Sequence, residues 1–162
     1  MKYRLYVDEV GNADLKCCAH VNHRYLSLNG VILEWTYVAD RFAPALESLK
    51  RQYFGYHPDD AVILHRKEMV NATGPFGVLQ DKQVRHSFDN DLLALLSDLE
   101  FRVITVVMDK YEHKERYKVW QFSPYHYCLQ LILERYVQWL GRQEATGGMC
   151  WRKVAEARKT PG

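Results

Sequence analysis

Three acidic residues stand where the sequence predicts the ends of strands: Asp8, Glu68 and Asp109. Asp8 follows an alternating segment, Glu68 comes four residues after Leu64, and Asp109 follows an apolar run. Ligands gather at strand ends in α/β sheets, and carboxylates that converge there need a cation to stay ionised together. Mg²⁺ or Mn²⁺ suits this role because both prefer hard oxygen ligands. The pattern therefore predicts a divalent-metal site of the kind used in phosphoryl chemistry.

Two neighbouring residues extend this candidate site. Glu9 stands directly beside Asp8 and is a secondary candidate ligand. His65, three residues before Glu68, is a candidate outer ligand or proton carrier. The sequence leaves a simpler explanation open for each of them. Strand-end acids are common in turns and helix caps, and a histidine after a buried strand is often only hydrogen-bonded.

Two further groups of residues have alternative chemical explanations. The first could bind zinc, but adjacent cysteines fit tetrahedral ligation poorly and the spacing matches no standard zinc finger. It contains Cys17, Cys18, His20 and His23. The second could hold phosphates, although interspersed glutamates favour a solvated helix face. It contains Lys110, His113, Lys114, Arg116 and Lys118.

The composition sets the class of protein. A chain of 162 residues with 48% hydrophobic residues is long enough for one domain with its own core. With 22 basic and 20 acidic residues, the net charge of +2 does not by itself indicate nucleic-acid binding. There is neither a signal-peptide pattern nor an apolar run of spanning length, so we expect a cytoplasmic protein without a membrane partner. The four cysteines form no CxxC pair, and we expect reduced thiols.

Several strands are predicted from the periodicity. Residues 3–8 alternate as a strand with one buried face, and they end at the candidate acids. Residues 24–34 predict one long strand, or two short ones joined by a bend or bulge at Asn29-Gly30. Residues 61–64 have the length of a short strand, and residues 101–108, apolar on both faces, predict a central strand.

Three helices are predicted between and after these strands. Residues 35–54 carry an apolar stripe, with the regular part starting near Phe42 because Pro44 fits only a first turn. Asp81 is a plausible N-cap for a helix through Ser97. Ser123-Pro124 predicts the start of a third helix, which Gly141 ends. Strands with interleaved helices indicate a mixed α/β domain.

Four segments of the chain together resemble one known family. They are Tyr6-Val7-Asp8-Glu9-Val10-Gly11, then Leu64-His65-Arg66-Lys67-Glu68, then Val106-Val107-Met108-Asp109-Lys110, and finally Tyr125-His126-Tyr127-Cys128-Leu129 with Leu133-Glu134-Arg135-Tyr136. The family is the bacterial one named domain of unknown function 3800, and the likeness follows the family's order up to about Gly141. The family's opening motif is two hydrophobic residues followed by Asp-Glu-Ser-Gly, so Val10 replaces a serine here.

The resemblance implies a fold and a metal site. It implies a ribonuclease H-like mixed sheet with helices packed on it, incomplete at its C-terminal side, over residues 1–148, with acidic residues where that superfamily binds metal. Together with the acidic strand ends, this leads to the hypothesis of a metal-dependent nuclease-like domain that acts on nucleic-acid phosphodiesters. In this hypothesis Mg²⁺ or Mn²⁺ is held by Asp8, Glu68 and Asp109, with Glu9 and His65 in supporting roles. The alternative is a catalytically inactive truncated fragment or binding module, which would self-associate through an exposed sheet edge.

The C-terminal residues 149–162 depart from the family pattern. Family members carry an acidic element there that resembles Gly-Asp-Val-Met-Ala-Glu-Ser-Arg-Gly. One set of permitted codons for residues 149–162, started one base earlier, encodes Asp-Val-Leu-Ala-Glu-Ser-Arg-Gly followed by Ser-Lys-Glu-Asp-Thr-Arg. We therefore hypothesise that the chain from about Met149 is read out of frame. The rival hypothesis is that residues 154–158 are the family motif after a small insertion, with Glu156 as the fourth acid.

Overall fold

The computed structural model describes residues 1–55, 61–118 and 122–151. Its strands are β1 (Lys2–Val10), β2 (Tyr25–Glu34), β3 (Arg102–Asp109) and β4 (Thr146–Trp151). Its helices are α1 (Trp35–Tyr37), α2 (Ala43–Phe54), α3 (Arg66–Asn71), α4 (Lys82–Ser97), α5 (Lys110–Arg116) and α6 (Pro124–Arg142). A π-helical segment, Val38–Phe42, joins α1 to α2, and short 3₁₀ helices span Val21–His23 and Gly74–Gln80.

The chain forms two compact units. The first comprises residues 1–35 and the described residues from Phe101 onward, and the second comprises residues 36–100. The first unit contains a sheet in the order β3-β2-β1-β4. In this sheet β1 and β3 are antiparallel to β2, whereas β4 is parallel to β1. The predicted mixed α/β class is confirmed.

The core of the first unit lies between the sheet and α6. The alternation predicted for the first strand is confirmed, because Leu5 and Val7 are buried in this core. From α6, Cys128, Ile132 and Tyr136 are buried against them at helical spacing. Burying one large apolar side chain contributes about 1.5–3 kcal/mol, so this contact fixes β1 inside the sheet.

Strand β2 runs through Asn29-Gly30 without interruption. The register pairs Val7 with Gly30 and Asp8 with Asn29 in continuous sequence, so the predicted bend or bulge is absent. Gly30 has another role, because a Cβ atom there would lie 2.8 Å from Leu5 Cδ1 and 3.1 Å from Ile132 Cγ2. The missing side chain lets α6 approach the sheet closely.

The second unit has a core of its own, built mainly from α2, α4 and the 3₁₀ helix Gly74–Gln80. The predicted cap of α4 is confirmed, since Asp81 Oδ1 accepts the backbone N–H groups of Gln83 at 2.7 Å and Val84 at 3.1 Å. The strand predicted at residues 61–64 is wrong, because these residues form no strand. Their apolar side chains, Val62 and Leu64, instead pack against the second core.

Strand β3 differs from its prediction in position. Its sequence is typical of a central strand, but among the described strands it lies at the edge of the sheet. One face is covered, since Ile104, Val106 and Met108 pack into the core with α6. On the other face, Val103 and Val107 are 50% and 62% exposed. The prediction of a strand is confirmed, and the prediction of a central position is wrong.

The ends of α6 also differ slightly from expectation. Pro124 occupies the first turn as predicted, but the Ser123 side chain makes no capping hydrogen bond. The helix continues through Gly141 and ends at Arg142. Among the described residues, no helix combines the length and apolar character needed to cross a membrane.

Because Leu5 and Ile132 lie so close to Gly30, a methyl group added at this position should destabilise the fold. Gly30→Ala should lower the free energy of unfolding by about 1–3 kcal/mol, the usual cost of overpacking a core, because Leu5 and Ile132 must move. Gly148→Ala in β4 is the control, since a Cβ atom there meets nothing within 4 Å. Urea denaturation of both variants measures the difference, and an equal effect of the two substitutions would contradict this packing.

Candidate functional site

Asp8 and Glu9 are the two residues that precede the end of β1. Successive side chains of a strand point to opposite faces of the sheet. Glu9 pairs with Leu28 and shares the face that packs on α6. Asp8 pairs with Asn29 and lies on the other face. Asp8 is exposed and Glu9 is half-buried, so the two carboxylates border the same strand end from opposite sides.

Within the described residues, no basic side chain pairs with the acids at this strand end, Asp8 and Glu9. Burial raises the pKa of Glu9, and the negative charge of Asp8 raises it further. The pKa of Tyr125, in the first turn of α6, is raised by burial and then by the charges of Glu9 and Asp8. The two carboxylates therefore raise the pKa of the groups around them.

Strand β1 lies between β2 and β4 in the sheet. Strand β4 runs parallel to β1, and its last described pair joins Trp151 to Val7, one residue before Asp8. The carboxyl ends of parallel strands meet at one edge of a sheet, which is where ligands bind in α/β folds. The two candidate acids therefore lie at the edge where β4 also ends. Residues 152–162, with the alternative acid Glu156, lie outside the described residues.

Asp109 has structural partners that occupy both of its carboxylate oxygens. Arg24 donates from Nε to Oδ2 at 2.7 Å, and its Nη2 lies 2.5 Å from the same oxygen. Oδ1 accepts the backbone N–H groups of Tyr111 at 3.0 Å and Glu112 at 3.2 Å, which caps α5. The hydrogen bond from Arg24 is the main reason why the pKa of Asp109 is lowered. A metal ion at Asp109 would have to displace this arginine.

The sheet register separates Asp109 from Asp8. Asp8 pairs with Asn29, which pairs with Thr105 on β3. Asp109 lies four residues beyond Thr105, and β3 is two strands away from β1. The rise per residue and the strand spacing give a Cα–Cα separation of roughly 16 Å between Asp8 and Asp109. The structure does not bring these two predicted ligands to one ion.

Glu68 and His65 belong to the second unit. His65 is the residue before α3, and Glu68 lies in the first turn of that helix. Both side chains are exposed. Because residues 61–64 form no strand, the reason for choosing Glu68 from the sequence, a position just after a strand, is wrong. Its role as a metal ligand and the role of His65 as a proton carrier stay predictions.

The basic run after β3 contains a residue that sequence analysis misjudged. Lys110 is fully buried, and its Nζ donates to Asn12 Oδ1 at 3.0 Å and to the Asp14 carbonyl at 2.9 Å. His113, one turn later, is also buried, with Nε2 3.1 Å from the Phe122 carbonyl. Neither is available to a phosphate in solution. Lys110 and His113 are three residues apart and therefore lie on one face of α5, and this spacing could have indicated a buried face.

Lys110 anchors the loop that follows the candidate acids. The loop leaves β1 at Gly11, whose positive φ of 98° is accessible to glycine at little cost. Asn12 and Asp14, the two acceptors of Lys110, belong to this loop. The buried ammonium group thus holds the segment next to Asp8 and Glu9 in one conformation.

The cysteines and histidines near residue 20 give no zinc site in this structure. All four cysteines are free, and Cys18 is buried whereas Cys17 is exposed. His20 caps the short 3₁₀ helix, since its Nδ1 accepts the Asn22 N–H at 3.3 Å. Within residues 1–55, 61–118 and 122–151, no group of three or more His, Cys, Asp and Glu residues is placed to hold a metal ion.

Comparisons with known proteins were made for the whole chain. No family model, curated protein or solved structure matches it. The geometry of this chain is therefore the basis for assigning a function, together with the motif resemblance described above.

The structural role of Asp109 predicts a stability effect that depends on pH. Asp109→Ala removes the N-cap of α5 and should cost about 0.5–2 kcal/mol of unfolding free energy at neutral pH. Because folding lowers the pKa of Asp109, its stabilisation is present above the unfolded-state pKa and is lost as the pH falls through the folded-state value. Urea denaturation at neutral and acidic pH measures this loss. Glu112→Ala, whose side chain is 77% exposed, should have little effect.

The burial of Lys110 predicts that its amine is needed for the loop after β1. Lys110→Met should lower the unfolding free energy by about 1–3 kcal/mol, because Asn12 and Asp14 lose a buried donor. Hydrogen exchange of residues 11–20 should become faster. Lys118→Met, at an exposed position of the same basic run, is the control. Equal exchange in the two variants would show that Lys110 does not anchor the loop.

Proposed function

We propose that this chain is a divalent-metal-dependent nuclease-like domain that acts on nucleic-acid phosphodiesters, with Mg²⁺ or Mn²⁺ as its cofactor. The observation that carries the proposal is the pair Asp8 and Glu9 at the carboxyl end of β1, which forms no ion pair with any residue that the structure describes and lies beside the parallel strand β4. The raised pKa of Glu9 supports it, because burial and the charge of Asp8 both oppose ionisation in the absence of a cation.

The donor chemistry of this strand end fits a hard divalent cation. Carboxylate oxygens are the ligands that Mg²⁺ prefers, and Mg²⁺ sites commonly use one or two carboxylates together with waters and substrate phosphates. Asp8 is the proposed ligand, and Glu9, on the other face of the strand, is a secondary candidate. A bound ion would supply activated water and stabilise the leaving oxygen. The roles of Glu68 as a metal ligand and of His65 as a proton carrier stay predictions from the sequence.

The proposed family and fold account for the layout of the first unit. A mixed sheet with a helix packed on it is what the ribonuclease H-like resemblance leads us to expect, and the motif containing Asp8 lies on an interior strand. In the alternative reading frame, the segment that replaces residue 149 onward carries glutamate at its fifth position. If that strand keeps the observed pairing of Met149 with Leu5, its glutamate pairs with Glu9. The frame-restored chain would then add an acid at the proposed site.

A second candidate function is a binding module without catalysis. It is favoured by the contacts of Asp109, which binds Arg24 and caps α5 instead of meeting Asp8. In this case the acids at the end of β1 are a remnant of a site whose last acidic element is missing. The nucleotide sequence after the Gly148 codon separates a frameshift from an insertion.

Metal titration tests the proposed site. Mn²⁺ should raise the melting temperature of the protein, because an ion that binds only the folded state stabilises it by about 2.7 kcal/mol at a hundredfold excess over Kd. Asp8→Asn should abolish the shift, and Glu9→Gln should reduce it. Asp109→Asn is the matched control: it should lower the melting temperature but keep the Mn²⁺ shift. Differential scanning fluorimetry measures all four proteins.

The outcome separates the two candidate functions. Hydrolysis of labelled DNA, RNA and hybrid oligonucleotides should require Mg²⁺ or Mn²⁺ and be lost in Asp8→Asn. Glu68→Gln and His65→Ala in the same assay test the two residues of the second unit. The frame-restored chain should bind Mn²⁺ more tightly than this one. The absence of both a thermal shift and hydrolysis in millimolar metal would contradict the nuclease proposal.

A further inference from the structure

Among the strands that the structure describes, β3 has an open edge, and it lacks the features that usually protect one. Natural edge strands carry lysine, proline, bulges or inward-pointing charges that oppose pairing with another strand. The eight residues of β3 include no lysine and no proline, and the charged residues Arg102 and Asp109 stand at its two ends. Val103 and Val107 are half-exposed or more on the face away from α6. This edge therefore favours the addition of a further strand.

One hydrogen bond shows which groups of β3 face the open edge. The backbone N–H of Lys110 donates to the Arg24 carbonyl at 2.9 Å, continuing the β2–β3 ladder. In antiparallel pairs, successive residues direct their N–H and C=O groups alternately to one side and the other. The even-numbered residues of β3 thus face β2, while Val103, Thr105 and Val107 direct their main-chain groups outward.

We propose that a second copy of this chain pairs with β3 through its own β3, antiparallel about a two-fold axis at Thr105. In this register Thr105 faces the same residue of the partner, and Val103 faces the partner's Val107. Each of these pairs can exchange two main-chain hydrogen bonds, because all three residues direct N–H and C=O outward. The two sheets become one continuous sheet, and β3 takes the central position that its sequence is typical of.

The side chains make this edge self-complementary. Valine pairs with valine and threonine with threonine on the exposed face, the kind of cross-strand pairs that stabilise sheets. A shift of the axis to Val106 would place the partner's Asp109 opposite Val103, which is unfavourable. Asp109 is already bound to Arg24 within its own chain. The other edge strand, β4, contains Gly147 and Gly148, which weaken a strand.

The main test removes one outward-facing donor. Sedimentation equilibrium of the wild-type chain should show a monomer–dimer equilibrium. Thr105→Pro should shift it to monomer, because proline removes the N–H that faces the edge and leaves the β2 ladder intact. Thr105→Val is the control: it loses the hydroxyl that donates to Asn29 Oδ1 at 2.8 Å but keeps the N–H. Dimerisation should persist in Thr105→Val.

A second pair of variants keeps the test valid if proline disturbs the strand. Val107→Lys should prevent dimerisation by placing a charge at the edge. Val137→Lys on α6 is its control, because Val137 is 64% exposed and Val107 is 62% exposed. Circular dichroism confirms that each variant is folded.

Cysteine cross-linking tests the register itself. In a background with Cys17→Ser and Cys150→Ser, Thr105→Cys should form a disulfide-linked dimer on mild oxidation, because the two-fold axis brings the partner's copy of this position opposite its own. Val103→Cys alone should cross-link poorly, whereas a mixture of Val103→Cys and Val107→Cys chains should form the dimer. A wild-type chain that stays monomeric at high concentration would overturn the proposal, as would a dimer unaffected by Thr105→Pro and Val107→Lys. These results are independent of metal binding.

Discussion

The close packing of α6 on the sheet at Gly30 is the constraint on which the first unit depends. Gly30 leaves room for Leu5 and Ile132 to meet over the middle of the sheet. Strand β1 lies between β2 and β4, with which it forms backbone ladders. The position of β1 in turn brings Asp8 and Glu9 to the edge where the parallel strands end. An apolar contact in the core thereby determines where the acids of this chain are presented.

Charge compensation distinguishes the two acidic strand ends of the sheet. At the end of β3, Arg24 and the N-terminus of α5 satisfy Asp109, and the pKa of its carboxyl group is lowered. At the end of β1, burial and a like charge raise the pKa of Glu9. A satisfied acid contributes to stability, whereas an unsatisfied pair can bind a cation. The proposed function therefore rests on the end of β1, whereas Asp109 binds Arg24 and caps α5.

Sequence patterns predicted those features that depend on local periodicity or local caps. The alternation of β1, the stripe of α6 and the cap at Asp81 follow from contacts within one element or one adjacent layer. The errors concern partners distant in sequence. Residues 61–64 look like a strand, but they pack on the second core. The basic run around Lys110 suggests a solvent-exposed side chain, but Lys110 is buried. Its hydrogen-bond acceptors, in Asp14 and Asn12, lie 96 and 98 positions earlier in the sequence. No local pattern shows which distant segment will surround a residue.

Paramagnetic NMR with Mn²⁺ tests the central claim, that a divalent ion binds at the end of β1, most directly. Broadening by Mn²⁺ falls steeply with distance, and the two strand ends are roughly 16 Å apart, so their signals are distinguishable. If the ion binds at the end of β1, the amide signals of residues 8–11 should disappear first, while those of residues 109–112 persist. Broadening centred on residues 109–112, or none that is selective for either segment, would contradict it.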